Sequence, residues 1–185
     1  MYNEYLKAVG QFPNVFSAEE CRRLIELPLP CVDAGVQSEG NAEGHVDYHL
    51  RRTRERPVPP DPEHLWIYQR LAAVVREANE KAYRFRLNDF MTVTVLEYSP
   101  DGYFDWHLDL GTGIFAARKL SLVSFLTPPE EYEGGELRFM DGGAPLRLAQ
   151  GATVIFPSYL MHKVEPVTRG NRFTLVSWVH GPSFS

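Results

Sequence analysis

The sequence predicts a mainly β chain with N-terminal helices (an α+β arrangement), folded as a two-sheet jelly roll that the helices back on one side. Three observations predict it. From Arg84 onward the apolar residues follow the two-residue period of strands, whereas before it they follow the three-and-four spacing of helices. Short apolar runs then succeed one another, each closed by Gly or Pro. No long helical pattern intervenes between them, which argues against strand–helix–strand units and favours a jelly roll or barrel.

In chain order, Ser17 with Glu20 three residues on is a capping box, and Cys21, Leu24, Ile25 and Leu27 form a short apolar stripe. A helix over 17–27 follows, stopped by Pro28 and Pro30. Residues 31–60 read as extended but irregular and end in Pro57, Pro59 and Pro60. Asp61 and Pro62 then open the longest helix, 62–80, whose buried face is Leu65, Tyr68, Leu71, Ala72, Val75 and Ala78. The expected strands are 91–98, 103–109, 119–127, 135–140, 144–148, 152–157, 162–167 and 172–180. Without repeats or linkers, 1–185 reads as a single domain: an N-terminal segment and substrate lid (1–60), a supporting helix (61–90) and a jelly-roll core (91–182).

With 44% hydrophobic and 23% charged residues, a chain of 185 residues has the composition and size for a globular core. A net charge of −5 offers no field that would gather nucleic acid or an anionic membrane. Cys21 and Cys31 are too few for a disulfide framework and are not spaced as zinc ligands. Neither a leader-like apolar stretch nor a run of about 18 apolar residues occurs. The expectation is a cytoplasmic chain with no membrane and no nucleic-acid partner; the oligomeric state stays open.

The chemistry gathers at two places. Tyr98 to Asp109 carries His107-Leu108-Asp109, and on a strand His107 and Asp109 share a face. Farther on, His162 is followed by Arg172 and Thr174, which share a face of the last strand with Val176 and Trp178. Two imidazoles and one carboxylate suit a non-haem Fe(II) centre with open positions. An arginine nearby offers a planar fork of donors to a carboxylate, and Thr174 could add a hydroxyl. Taken singly, each has an ordinary alternative. His107 and Asp109 could be a surface pair, Arg172 an edge-strand ion-pairing residue, and Tyr98 and Trp178 core packing.

The set Tyr98, Gly102, Phe104, His107 and Asp109, then His162, Arg172 and Thr174, resembles the Fe(II)- and 2-oxoglutarate-dependent dioxygenases, nearest the prolyl-4-hydroxylase-like (PKHD-type) small bacterial hydroxylases. Tyr132 to Leu137, Phe156-Pro157-Ser158 and Trp178 to Pro182 add to the likeness, which covers roughly residues 65–182. The resemblance implies a double-stranded β-helix. It implies His107, Asp109 and His162 as metal ligands and catalytic centre, and Arg172, Tyr98 and Thr174 as cosubstrate-binding residues. Fe(II), 2-oxoglutarate and O2, with ascorbate as reductant, come with it, as do succinate and CO2 as products. Asp109 argues for hydroxylation, because related halogenases carry a small residue in its place.

The substrate is left as an amino acid, a peptidyl (prolyl) group or a small metabolite. Substrate-facing residues are expected among Trp178, Arg118, Arg52 and Arg54, the last two from the basic run Arg51 to Arg56. His45-Val46-Asp47, with His49, looks like a second motif but lacks a strand framework and a matching arginine, and is read as an exposed loop. The competing class is a cupin-like, non-catalytic metal or small-ligand binding module, which would have no need of Arg172.

Overall fold

The computed structural model describes residues 8–38, 41–88 and 91–182. The chain runs through β1 (Gly10–Phe12), α1 (Ala18–Ile25), β2 (Val32–Asp33), β3 (Val36–Ser38), β4 (Asn41–His45), β5 (Arg51–Arg52), β6 (Arg54–Val58) and α2 (Leu65–Ala78). It continues through β7 (Met91–Tyr98), β8 (Tyr103–His107), β9 (Arg118–Phe125), β10 (Glu133–Gly134), β11 (Leu137–Phe139), β12 (Thr153–Pro157), β13 (His162–Val164), β14 (Val167–Arg169) and β15 (Arg172–His180).

Local chemistry sets the helix ends. Ser17 Oγ accepts from the Glu20 amide at 3.1 Å while Glu20 accepts from the Ser17 amide at 2.8 Å, so the capping box forms in full. Glu20 also pairs with Arg70 at 2.8 Å, tying α1 to α2. Asp61 caps the turn before α2, accepting from the His64 amide at 3.1 Å, so the helix proper begins at Leu65. It ends in a wider turn over Asn79–Tyr83, closed by Arg84 at φ 54° and by the Asn79 side chain bonding both backbone groups of Phe85.

Two sheets face each other. The major sheet has the order β1-β12-β9-β15-β7-β6-β2, and the minor sheet β11-β13-β8-β5. The outer face of the major sheet packs on the helices through Leu24, Ile67, Leu71, Leu120, Leu122 and Leu175. Its inner face meets the minor sheet through Leu96, Phe125, Phe139, Val154, Phe156 and Val176. This is the predicted double-stranded β-helix backed by helices.

The differences from the sequence reading have identifiable causes. Residues 144–148 form only a bridge between Leu146 and Leu137, since Pro145 removes a ladder donor. The run 162–167 splits at Glu165-Pro166 into β13 in the minor sheet and β14, which pairs with β10. Residues 51–58 are built into both sheets, β5 beside β8 and β6 beside β7.

Candidate active site

β8 and β13 pair with His107 and His162 as direct partners, which brings their rings to 4.2 Å between centroids at the edge of the inter-sheet space. Each imidazole is oriented from behind. His107 Nδ1 lies 2.7 Å from the Asp105 carbonyl and His162 Nδ1 lies 2.8 Å from the Leu160 carbonyl. A carbonyl only accepts, so both Nδ1 atoms carry the hydrogen and both Nε2 atoms are turned toward the site. The Phe104 ring stacks on His107 at 3.4 Å, nearly parallel, and Phe156 meets His162 edge-on at 4.8 Å.

Asp109 arrives by a different route from the one its spacing suggests. The strand ends at His107, and the Asp109 and Leu110 amides donate to the Ser158 carbonyl at 3.1 and 2.9 Å. That anchor, rather than strand alternation, sets the carboxylate 3.8 Å from His107 Nε2 and 3.5 Å from His162 Nε2. The three ligand atoms lie within 4.8 Å of one another. Burial would raise the Asp109 carboxyl, but His162, His107, Arg118 and the Ser121 hydroxyl outweigh it and hold it below the usual range. Burial, and then the neighbouring His162, push His107 down to about 3. The cluster is therefore one carboxylate with a neutral, metal-ready imidazole beside it, a donor set that fits Fe(II).

The same inner cavity reaches Arg172, Thr174 and Tyr98. Arg172 is 1% exposed, and its Nε, Nη1 and Nη2 have no hydrogen-bond partner among the described residues; Thr174 Oγ1 has none either. Its guanidinium carbon sits 5.1 Å from the Tyr98 ring and 5.4 Å from that of Phe125. A Cβ on Gly135, at φ +69°, would come within 2.7 Å of Arg172 Cδ, so the bare backbone there lets the side chain through. A buried cation with three idle nitrogens fits the far carboxylate of a dicarboxylic cosubstrate such as 2-oxoglutarate.

Comparison with known proteins agrees with that geometry. The family profile described as the 2OG-Fe(II) oxygenase superfamily matches residues 93–180. A PKHD-type hydroxylase of Shewanella sp. (strain ANA-3) is 30% identical over 175 residues, covering 91% of this chain and 76% of the relative. The chain belongs to the PKHD-type hydroxylases.

As members of the 2OG-Fe(II) oxygenase superfamily, these enzymes use Fe(II), 2-oxoglutarate and O2, and this chain is a 2-oxoglutarate-dependent hydroxylase. The crystal structure of a Pseudomonas putida prolyl-4-hydroxylase superposes with a TM-score of 0.68 at 23% identity, covering 96% of this chain and 94% of that one. The viral collagen prolyl hydroxylase of Paramecium Bursaria Chlorella virus-1, in its 2OG complex, gives 0.70 at 20% identity, covering 95% and 97%. At these identities the structures establish the shared fold. Membership in an enzyme family sets the non-catalytic, cupin-like reading aside.

Outside the ligand cluster the hydroxylase opens into a larger cavity of about 860 Å³. Arg118 and Trp178 both line it, with the guanidinium 4.0 Å from the Trp178 ring and 4.2 Å from Phe115. Arg118 Nη1 donates to the Asp109 carbonyl at 3.3 Å, and burial lowers its pKa to about 10 despite the attraction of Asp109.

Arg52 and Arg54 do not line this cavity, which corrects their expected place. Side chains alternate along 51–54, so Arg51 and Thr53 are buried while Arg52 and Arg54 are exposed. Arg54 instead bonds the Cys31 carbonyl and approaches Glu97 at 3.8 Å. The residues missed are Arg51 and Glu55, which do line the cavity. Strand alternation through Thr53 would have singled out Arg51. His45 and His49 are exposed and do not belong to the three-ligand cluster. His45 ends β4, paired with Val36 of β3, rather than lying in a loop; His49 lies in a turn. Among the described residues no helix is long and apolar enough to cross a membrane.

Proposed function

We propose that His107, Asp109 and His162 hold the Fe(II) of this hydroxylase, and that Arg172, with Thr174 and Tyr98 beside it, holds the far carboxylate of 2-oxoglutarate. The supporting observation is the fully buried guanidinium of Arg172, whose nitrogens have no hydrogen-bond partner among the described residues, in the same inner cavity as the three-ligand cluster. The reaction proposed is hydroxylation of an unactivated C–H on an amino acid, a peptidyl group or a small metabolite. Two solved neighbours are named for prolyl and collagen prolyl hydroxylation, which makes peptidyl proline one substrate to test. Ascorbate is proposed as the reductant that keeps the iron ferrous, and the cytoplasm as the compartment.

When bound, iron and 2-oxoglutarate supply O2 activation coupled to oxidative decarboxylation, with succinate and CO2 released. The chain's own part is positional. The Asp105 and Leu160 carbonyls fix the two Nδ1–H groups and aim Nε2 inward. Ser158 sets the backbone of Asp109, and Arg118 and Ser121 favour its anionic form. Arg172 would hold the cosubstrate's carboxylate by charge-assisted hydrogen bonds, and Phe104 and Phe156 shield the imidazoles from water.

Anaerobic titration with Fe(II) and then 2-oxoglutarate tests this. The wild type should develop the weak visible charge-transfer band of the chelate. Asp109→Ala should lose it, and Arg172→Ala should need far more cosubstrate to reach it. Full-strength bands in both variants at the same cosubstrate concentration would discard the assignment of these residues.

A further inference from the structure

The outer cavity carries hydrogen-bond donors that the proposed metal and cosubstrate sites leave unbonded. Arg51, on β5 of the minor sheet, is 6% exposed. Its Nη1 donates to the Gly35 carbonyl at 3.1 Å, but its Nε and Nη2 have no hydrogen-bond partner among the described residues. Glu55, which also lines the cavity, forms an ion pair with Nη2 at 3.8 Å, too long to be a hydrogen bond, so the pair offsets part of the charge and leaves these donors unbonded. Arg118, at the start of β9 in the major sheet, spends Nη1 on the Asp109 carbonyl, and its buried Nε has no hydrogen-bond partner among the described residues.

Both guanidinium groups lie against aromatic rings, Arg51 at 4.7 Å from Phe104 and Arg118 at 4.0 Å from Trp178. Such contacts restrain a guanidinium while leaving its edge donors available to a planar anion. Phe104 in turn stacks on His107, so Arg51 stands one ring away from the ligand cluster; Arg118 is bonded to the cluster's own carboxylate residue. Two cations, one from each sheet, thus face one cavity beside the reacting centre. Glu55 and Asp109 balance part of the two charges, but donors left unbonded on buried cations are costly unless an acceptor meets them. The remaining wall is largely apolar, with Pro57, Met91, Leu108 and Ile114 among its residues.

We infer that Arg51 and Arg118 form a second carboxylate site, which binds a carboxylate of the substrate and so selects the C–H presented to the cluster. The substrate class is a carboxylate-bearing molecule with an apolar body. This rests on the proposed metal and cosubstrate site, which fixes where the reacting bond must lie. A free acid and the carboxylate of a peptide share the recognition chemistry.

The test uses benzoate, with benzamide as its uncharged counterpart of similar shape. Each is titrated into protein loaded anaerobically with Fe(II) and 2-oxoglutarate, and binding is followed by equilibrium dialysis and by tryptophan fluorescence. Benzoate should bind about ten- to a hundredfold more tightly than benzamide. The preference should fall in Arg51→Gln and in Arg118→Gln, and Arg118→Lys should retain part of it. Equal binding of the two probes by wild type overturns the inference, as does a benzoate preference that survives in the Arg51→Gln, Arg118→Gln double variant.

The charge-transfer band, recorded on the same wild-type samples, separates two failures. Without the band, the cosubstrate reading falls and takes this inference with it. With the band present and no benzoate preference, only the second carboxylate site falls. Succinate release with N-acetylated amino acids and with capped acidic peptides then tells a free acid from a peptide carboxylate.

Discussion

Arg172 sits in an unusual energetic position for a single residue. Burying a guanidinium removes strong hydration, and among the described residues its three nitrogens find no acceptor in return. Such a residue is a cost to the free protein and a gain only when a carboxylate arrives. Arg172→Met, of similar reach and able to lie on Tyr98 and Phe125, should leave the cosubstrate-free protein as stable as wild type or more stable by about 1 kcal/mol. The same variant should lose the rise in melting temperature that 2-oxoglutarate gives metal-loaded wild type. Thermal unfolding with and without cosubstrate measures both. A large drop in stability without cosubstrate would mean that Arg172 is a packing residue of the inter-sheet core.

Among the elements, β8 and the turn after it show what a sequence reveals and what it conceals. His107 is legible because strand periodicity runs up to it, and the pairing with His162 follows from β13 being the next strand of the minor sheet. The placement of Asp109 was reached by an alternation that stops two residues short, and the true anchor, the Ser158 carbonyl, lies on a distant turn that local pattern does not report. Arg51 escaped notice for a related reason: a run of arginines reads as one solvated face until strand pairing decides which members turn inward. Pro145 and Pro166, by contrast, announce in the sequence the two places where expected strands break. The Phe104 ring belongs to the same strand as His107 and stacks on it, so Phe104→Ala should free the imidazole to rotate and admit water. Affinity for Fe(II) should fall by about ten- to a hundredfold, as when other orienting neighbours of a ligand are removed. Calorimetric titration under anaerobic conditions reads it, with far-ultraviolet circular dichroism to show that the sheets remain. Unchanged metal affinity would leave the Asp105 carbonyl as the sole positioning contact.

Across the whole molecule, the two cores on either side of the major sheet give stability a pH dependence with two limbs. In the helix-facing core, burial raises the Cys21 thiol from 9.0 to about 11 and the Tyr83 phenol from 10.0 to about 12. Both groups are neutral when protonated, and both folded values lie above the unfolded ones. Their contribution is therefore fully present below pH 9 and is lost as the unfolded state ionises between about pH 9 and 12. At the inter-sheet edge the displacement is the other way. His107, pushed from 6.5 to about 3, stays neutral in the fold while the unfolded chain takes up a proton. Its contribution is present above pH 6.5 and is lost as pH falls toward 3. Urea unfolding of the metal-free protein should therefore show a plateau between about pH 6.5 and 9, falling on both sides by on the order of a few kcal/mol at the extremes. Cys21→Ser would also bury a hydroxyl, so Cys21→Ala is the cleaner probe and should soften the alkaline limb at some cost in packing. A His107→Gln variant should soften the acid limb and leave the alkaline one in place. If the acid limb were unaffected by that change, His107 would not be its source, and carboxylates held below their usual range, Asp109 among them, would carry the acid sensitivity.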